Sequence, residues 1–194
     1  MKRRNLLIAS LAILSMMYTS VQAQNLLEAN QSFSEGLRDW ENGVWGDEQG
    51  EPKGYFKHYT EDGQDDSSSI RVICKKPTKD GQGNKLFLKR SGLKLRRNRT
   101  YILTFWLKSR YADDEMYMTI FSGPDTGSKK AWGGITDQTF KFTGDGQWHK
   151  MTHRFTAKSQ YPDHPADLKN AAIVFGFDKR KGTYFIDNIS LREE

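Results

Sequence analysis

Large aromatic side chains are the residues of this sequence whose type and placement first suggest chemistry. The chain contains 5 Trp and 8 Tyr among its 194 residues. A flat ring can cover the apolar C–H face of a sugar, while amides, carboxylates and basic groups reach the sugar hydroxyls. The candidate ligand-contacting rings are Trp45, Tyr55, Tyr59, Trp106, Tyr117 and Trp132.

Two of these rings lie in glycine-flanked segments. Trp45 occurs in Val44-Trp45-Gly46, and Trp132 occurs in Ala131-Trp132-Gly133-Gly134. No periodic pattern in either segment requires a large ring, so a ligand contact is one interpretation. Since loop aromatics also close the ends of β-sandwiches, packing is the other, and both stay open.

Catalytic signatures are weak by comparison. Paired acids on a strand need a spacing of two to face each other, whereas Asp113-Asp114-Glu115 are consecutive. No Gly-x-Ser-x-Gly motif occurs, and the single cysteine, Cys74, has no histidine near it in sequence. His149 and His153 share a strand parity with apolar residues, which favours packing over a metal site. We therefore expect no enzyme activity.

The first 23 residues predict a secretory signal peptide. A basic start, Lys2-Arg3-Arg4, precedes an apolar run from Leu6 to Met17 and the small-residue exit Val21-Gln22-Ala23. The run is shorter than the roughly 20 residues that span a bilayer, so we expect no membrane insertion. Cleavage after Ala23 predicts a secreted or periplasmic protein with one domain over residues 24–194.

The net charge does not favour nucleic acid as a partner. The formal net charge of +6 falls to +3 without the leader, because three basic and no acidic residues lie there. The densest basic run, Lys89–Arg99, is interrupted by apolar residues. We interpret it as a strand end, a Ser91-Gly92 turn, a short strand and another turn, on a mixed solvated surface.

Alternating hydrophobicity dominates the chain after the leader, and no segment shows a capped helical stripe. Turn residues separate about ten short segments, which predicts an all-β, antiparallel two-sheet β-sandwich of the jelly-roll or immunoglobulin kind. The predicted strands are Asn25–Ala29, Tyr55–Tyr59, Ser69–Lys75, Lys85–Lys89, Thr100–Lys108, Met116–Phe121, Thr139–Thr143, Lys150–Ala157, Ala171–Phe177 and Thr183–Arg192.

Strand parity predicts which side chains face the core. Tyr101, Leu103, Phe105 and Leu107 share one face of their strand, and Met116, Met118 and Ile120 share one face of the next. The opposite faces then carry Trp106 and Tyr117 outward on strands that follow each other in sequence. An outward ring needs a reason, since sandwiches normally turn polar residues to water. A covering loop is one reason, and a shared ligand platform is the other.

Four segments in order resemble secreted carbohydrate-binding modules of the families four, nine and twenty-two type. They are Asn25–Trp40, Tyr101–Ser109, Gly146–Thr156 and Gly182–Leu191, and the closing segment is the most specific. The resemblance implies a galactose-binding-like β-jelly-roll. The chain departs from the family pattern at Phe33-Ser34, where Phe-Glu is common, and at Asp187-Asn188, where two acids are common.

The resemblance also implies roles for particular residues. Trp40 and Trp148 fall on the family's structural motifs and are assigned to packing. A structural calcium ion is common near the meeting chain ends, and Glu28, Asn30 and Asp187 are the implied ligands, with Glu35 as a further oxygen donor.

Together these observations predict a secreted, non-catalytic protein that binds poly- or oligosaccharide through an aromatic platform. Two alternatives remain open from other classes of function. One is a hydrolase or lyase that acts on glycans from a jelly-roll. The other is a structural or adhesive surface protein whose outward rings contact another protein, such as a cell-surface or enzyme partner.

Overall fold

The computed structural model describes residues 24–45, 52–78, 85–110, 114–122, 133–161 and 166–194. Within these ranges no helix is long and apolar enough to cross a membrane. The described chain contains ten strands: β1 (Glu41–Val44), β2 (Lys53–Tyr59), β3 (Ser69–Lys76), β4 (Leu86–Leu93), β5 (Thr100–Ser109), β6 (Asp114–Ser122), β7 (Gly133–Phe142), β8 (His149–Thr156), β9 (Ala171–Gly176) and β10 (Gly182–Glu193).

The strands form two antiparallel sheets of five. Sheet I has the order β1-β4-β9-β6-β7, and sheet II has the order β2-β3-β10-β5-β8. Every described strand pair is antiparallel. This arrangement confirms the predicted two-sheet jelly-roll sandwich.

The core lies between the two sheets and follows the predicted parity. In β5, Leu103, Phe105 and Leu107 are completely buried, and in β6 so are Met116 and Met118. Apolar side chains at every second position of a strand share one face, so each sheet turns one apolar face to the other. The core parity predicted for both strands is confirmed.

Two local predictions are wrong. The predicted strand Asn25–Ala29 contributes only a single bridge, from Asn25 to Arg192, because hydrogen-bonded turns begin directly after it. The Ser91-Gly92 pair is not a turn between strands. It lies inside β4, where the register to β9 shifts between Arg90 and Leu93 and Gly92 has a φ of 78°. Glycine has no Cβ and adopts the left-handed conformation of this irregularity without steric cost.

The loop that precedes β1 is held by Asn30. Its Nδ2 donates to the carbonyl oxygens of Gly36 and Arg38, both at 2.9 Å, and its Oδ1 accepts from the Glu35 N–H at 3.0 Å. Trp40 closes this loop with 6% of its surface exposed, and its ring centroid lies 5.5 Å from that of Phe33. The packing role predicted for Trp40 is confirmed.

Candidate functional site

The rings predicted to form one platform lie on two opposite outer faces of the sandwich. Trp106 is on β5 of sheet II, whereas Tyr117 is on β6 of sheet I. The connection between these consecutive strands crosses from one sheet to the other, so their outward side chains point in opposite directions. We call the outer surfaces of the two sheets face I and face II.

On face I, aromatic rings alternate with glycines in one row across the strands. Phe87 and Tyr117 both lie opposite Gly176 of the central strand β9, and Phe87 also lies opposite Gly43 of β1. Trp45, just beyond β1, stacks on Phe87 with ring centroids 4.1 Å apart and planes 20° apart. Trp45 and Tyr117 are therefore brought to the same face, two strand spacings apart.

Phe87 belongs to a second apolar cluster, separate from the main core, which we call the apolar floor. It consists of Phe87, Phe121, Ala172 and Val174, with exposed fractions of 8%, 9%, 6% and 0%, and Trp45 packs against it. Tight burial restricts the side chains of the floor to fixed rotamers. The ring of Trp45 therefore packs on the apolar floor.

The next row of face I carries charged and hydroxyl groups. Register places Glu41, Lys89, Val174, Thr119 and Asp137 side by side across the five strands. The Lys89 ammonium lies 3.2 Å from the Glu41 carboxylate. A row of hydrogen-bonding groups therefore runs parallel to the row of rings.

A segment after β8 closes the edge of face I. The Gln160 N–H donates to the Gly134 carbonyl at 2.7 Å, and Gln160 Nε2 donates to Asp137 Oδ2 at 3.3 Å. A Cβ at Gly134 would lie 3.0 Å from the ring of Tyr161, so the glycine allows the close approach. Tyr161 itself is 53% exposed. Burial raises the pKa of the Tyr117 hydroxyl, with smaller contributions from Asp137 and Tyr161.

Tyr161 was missed by the sequence analysis. The criterion that identified Trp45 would also have identified Tyr161, since both are large rings in segments where no periodic pattern requires one. The predicted contact Trp132 lies outside the described residues, and its role stays a prediction.

Face II holds Tyr55, Tyr59 and Trp106, which occupy three different surroundings. Tyr55 is 44% exposed at the edge strand β2. The Tyr59 ring packs 5.4 Å from that of Phe185, and its hydroxyl donates to Glu61 at 3.0 Å, which raises its pKa. Trp106 is half-buried between its strand neighbours Asp187 and Lys150.

The β2–β3 loop, residues 60–68, lies across the centre of face II, and we call it the cover loop. Its Asp62 carboxylate forms an ion pair with Lys108, whose side chain is 7% exposed. The Gln64 N–H donates to Asp187 Oδ2 at 2.7 Å, and Asn188 Nδ2 donates to Asp65 Oδ2 at 2.8 Å. The covering-loop explanation of outward polar and aromatic groups therefore holds at this part of face II.

Lys108 also links the cover loop to the aromatic groups of sheet II. Its ammonium lies 4.7 Å from the ring centroid of Trp148 and 5.0 Å from that of Phe185. Trp148 is half-buried, and its indole nitrogen is buried without a hydrogen-bond partner among the described residues. Trp148 thus belongs to the packing under the cover loop.

The implied calcium ligands show no common site in their contacts. The Asn30 amide is used by backbone groups of its own loop, and Glu28 is exposed. Asp187 is completely buried and accepts the N–H groups of Gln64 and Asn188. Within the described ranges, no group of three His, Cys, Asp or Glu side chains is placed to hold a metal ion. These residues fit calcium poorly, and calcium binding stays a prediction.

Comparison with solved structures bears on the fold. A CBM4 structure matches with a TM-score of 0.61 at 18% identity, over 85% of this chain and 98% of that chain. The chain has the β-jelly-roll fold of carbohydrate-binding modules. The CBM22-1 xylan-binding domain of Xyn10C from Paenibacillus barcinonensis matches this jelly-roll with a TM-score of 0.58 at 13% identity, over 88% and 95% of the two chains.

A further match to the jelly-roll is TmCBM61 in complex with β-1,4-galactotriose. Its TM-score is 0.55 at 14% identity, over 89% of this chain and all of that chain. No family model matches the sequence, and no curated protein matches it. At these identities the likeness is one of fold, which confirms the predicted jelly-roll.

Proposed function

We propose that this protein is a secreted, non-catalytic carbohydrate-binding protein that recognises poly- or oligosaccharide on face I. The observation that carries the proposal is the row of rings on that face. Trp45 and Tyr117 stand on either side of the glycine at position 176, and the exposed Tyr161 lies at the edge beyond them. The fold likeness to carbohydrate-binding modules supports the same ligand class.

The spacing of the row suits an extended oligosaccharide. Phe87, under Trp45, and Tyr117 are separated by one strand, so they are about 10 Å apart across the sheet. A sugar chain that crosses the strands would place separate units over the two rings. Gly176, which is buried between the two rings, adds no side chain there.

Polar groups on the same face supply directional contacts. The Asp137 carboxylate and the Gln160 amide lie at one end of the row of rings, and Lys89 lies in the parallel row of polar groups. Such groups fix the orientation of a sugar whose apolar face rests on a ring. Each stacked ring contributes on the order of 1 kcal/mol, so affinities in the micromolar to millimolar range are expected.

Among the described residues, the carboxylates of face I support a non-catalytic role. Glu41 and Asp137 lie on the two edge strands of sheet I, four strand spacings or about 19 Å apart. Glu115 lies four residues along the neighbouring strand from the partner of Asp137, about 14 Å away. Paired acids that hydrolyse a glycosidic bond stand about 5–10 Å apart.

The leader predicted over residues 1–23 supports export, and it lies outside the described residues. In this proposal Ala23 is the last residue removed, and the jelly-roll acts outside the cytoplasm. Mass spectrometry of the exported protein tests this part separately from sugar binding.

The test of function is a fluorescence and calorimetric titration of the 24–194 protein against neutral plant, algal and host glycans. Trp45→Ala and Tyr117→Ala are expected to weaken binding of the recognised glycan about tenfold each. Trp106→Ala removes an equal ring from face II and is the matched control, expected to bind as the unsubstituted protein does.

Three results would count against the proposal. If Trp106→Ala abolishes binding and Trp45→Ala does not, the binding site is on face II instead of face I. If no glycan binds while the protein associates with another protein through these rings, the adhesive alternative is correct. New reducing ends released from any glycan of the panel would establish a hydrolase instead.

A further inference from the structure

The outward surface of the β2–β3 hairpin alternates rings and cations. On β2 the outward residues are Tyr55, Lys57 and Tyr59, and on β3 they are Arg71 and Lys75 on either side of Ile73. We call this set of five, without Ile73, the basic hairpin. It lies on face II, on the opposite side of the sandwich from the row of rings on face I.

Each ring of the basic hairpin is paired with a cation of the neighbouring strand. The Lys75 ammonium lies 5.1 Å from the ring centroid of Tyr55, and the Arg71 guanidinium lies 5.8 Å from that of Tyr59. Lys57 stands opposite Arg71 in the register. Cation and ring contacts of this kind hold long basic side chains over the sheet. Lys57 and Lys75 are exposed, whereas Arg71 is half-buried and its Nε is buried.

The positive charge of the basic hairpin is not neutralised by the described acids. None of the ion pairs among the described residues involves Lys57, Arg71 or Lys75. The outward positions of β2 and β3 that carry these residues include no Asp or Glu.

The nearest acidic segment, the cover loop, places one carboxylate, Glu61, against Tyr59 at the end of the basic hairpin and has the carboxylates of Asp62, Asp65 and Asp66 engaged elsewhere. Asp62 binds Lys108, and Asp65 accepts a hydrogen bond from Asn188. Asp66 accepts one from the Ser68 N–H, and Glu61 accepts one from the Tyr59 hydroxyl. A row of cations therefore remains available along the edge of sheet II.

We propose that the basic hairpin is a second binding site, for an anionic polysaccharide whose sugars carry carboxylate or sulfate groups. Lys57 and Arg71 are about 5 Å apart across the strands, and Lys75 lies four residues or about 13 Å along β3 from Arg71, so the three cations can pair with charges on separate sugar units of one polymer. Tyr55, 44% exposed, offers its hydroxyl and ring edge to the sugar hydroxyls beside those charges.

The arrangement favours an acidic glycan over single-stranded nucleic acid. Binding of nucleic acid without sequence preference uses open ring faces on which bases stack. Here Lys75 lies over the ring of Tyr55, and Tyr59 is held between Arg71 and Phe185. What the hairpin presents is cations and hydroxyl groups, which suit charged sugars.

This site is independent of the one proposed on face I. A chain with both would hold a neutral glycan on one side and an acidic glycan on the other, and would cross-link the two polymers. Binding at the basic hairpin should weaken with salt, while stacking on face I should change little.

The test is affinity electrophoresis and titration calorimetry of the 24–194 protein with four probes: polygalacturonate, dextran sulfate, neutral dextran and a single-stranded DNA oligonucleotide. Lys57→Glu/Lys75→Glu is expected to weaken polygalacturonate or dextran sulfate binding at least about tenfold at low salt. Lys158→Glu/Lys169→Glu makes the same charge change at exposed positions elsewhere and is expected to retain binding. Thermal unfolding checks that both variants fold.

The outcomes separate this proposal from its competitors. Preference for polygalacturonate or for dextran sulfate identifies the anionic group. Equal losses in the two double variants would overturn the site, since net charge alone would then explain binding, and so would tighter binding of the DNA. Trp45→Ala should leave polygalacturonate binding intact, so failure of the face I proposal is recognised separately.

Discussion

The two outer faces of the sandwich carry similar residue types but use them differently. On face I, Trp45 stacks on a buried apolar floor and shares its row with Tyr117, and the segment after β8 is hydrogen-bonded to the edge strand β7. On face II, the cover loop binds Lys108 and Asp187 directly over the central strands. Outward aromatic rings therefore lie in different surroundings on the two sheets, one set on a buried apolar floor and the other beside a loop held by polar contacts.

The difference also concerns how each face is stabilised. Face I is supported by buried apolar contacts, whereas the centre of face II is closed by the ion pair of the partly exposed Asp62 with the buried Lys108 and by hydrogen bonds to the buried Asp187. Apolar contacts do not titrate and are not weakened by charge screening, whereas ionisable groups titrate and ion pairs are screened by salt. The two faces should therefore respond differently to substitution and to solution conditions.

The largest expected effect is at the apolar floor of face I. Phe87→Ala should lower the free energy of unfolding by about 3–5 kcal/mol, because it leaves a cavity among Phe121, Ala172 and Val174. Trp45 would also lose its stacking partner, so glycan binding should fall. Urea unfolding measures the first effect and titration the second.

Tyr55→Ala is the control for this change, since Tyr55 is 44% exposed on face II and its loss should cost less than about 1 kcal/mol. Equal losses for the two substitutions would show that Phe87 is not part of a packed floor.

The next effect tests the closure of face II. Asp62→Asn leaves the Lys108 ammonium without its anion in a site where that side chain is only 7% exposed. We expect a loss of about 1–3 kcal/mol in urea unfolding, less than for a fully buried pair because Asp62 is partly exposed. Binding on face I should not change.

Glu61→Gln is the control, because it removes one negative charge at the position directly before Asp62 in the cover loop and keeps a hydrogen-bond acceptor for the Tyr59 hydroxyl. It should cost less than about 0.5 kcal/mol. If both substitutions have the same effect, the ion pair does not hold the loop.

The pH dependence of stability sharpens the same contrast. Burial raises the pKa of Asp187 to about 7 in the folded protein, against about 3.9 in the unfolded chain. The folded state therefore binds an extra proton between about pH 4 and pH 7. This contribution to stability is complete below about pH 4 and is lost as the pH rises through 7.

His153 acts in the opposite direction, because burial lowers its pKa and its contribution is lost as the pH falls below about 6.5. Asp187→Asn isolates the carboxyl contribution: the difference in unfolding free energy between variant and unsubstituted protein should change between pH 5 and pH 8. A difference that is constant over this range would contradict the raised pKa.

The smallest effect is at the edge of face I. A methyl group at Gly134 would lie 2.8 Å from Gln160 Oε1 and 3.0 Å from the Tyr161 ring. Both are ends of side chains that can move, so Gly134→Ala should hardly change stability. Displacing Tyr161 should weaken glycan binding about two- to fivefold, which is up to about 1 kcal/mol.

Gly43→Ala is the matched control at the opposite edge, since its methyl group would meet the Phe87 ring at an ordinary 3.5 Å. Unchanged binding in Gly134→Ala would remove Tyr161 from the site.

The approximate positions of β2 to β10 and the core parity could be predicted because they depend on local alternation, whereas the short strand β1 was not predicted. Leu103, Phe105, Met116 and Met118 follow that period and are buried as expected. The irregular register at Gly92 was not predicted, because a bulge inside a strand and a turn between strands use the same residue types.

Sheet membership could not be predicted in the same way. Trp106 and Tyr117 follow each other in sequence, but the sheet in which each strand pairs depends on long-range contacts with β10 and β9. The covering of Asp187 by Gln64 joins residues 123 positions apart. Parity therefore identifies which rings point outward and leaves open which of them share a surface.

The most direct test of the central claim is to map the glycan onto the two faces. Amide chemical shifts of labelled 24–194 protein would be followed while β-1,4-linked xylo- or galacto-oligosaccharides are added, together with any neutral glycan that binds in the panel. If the glycan binds on face I, shifts should be concentrated around Trp45, Phe87, Tyr117, Gly176 and Tyr161, with none around Trp106 and Lys150. Shifts concentrated on β5 and β8 of sheet II instead would contradict binding on face I.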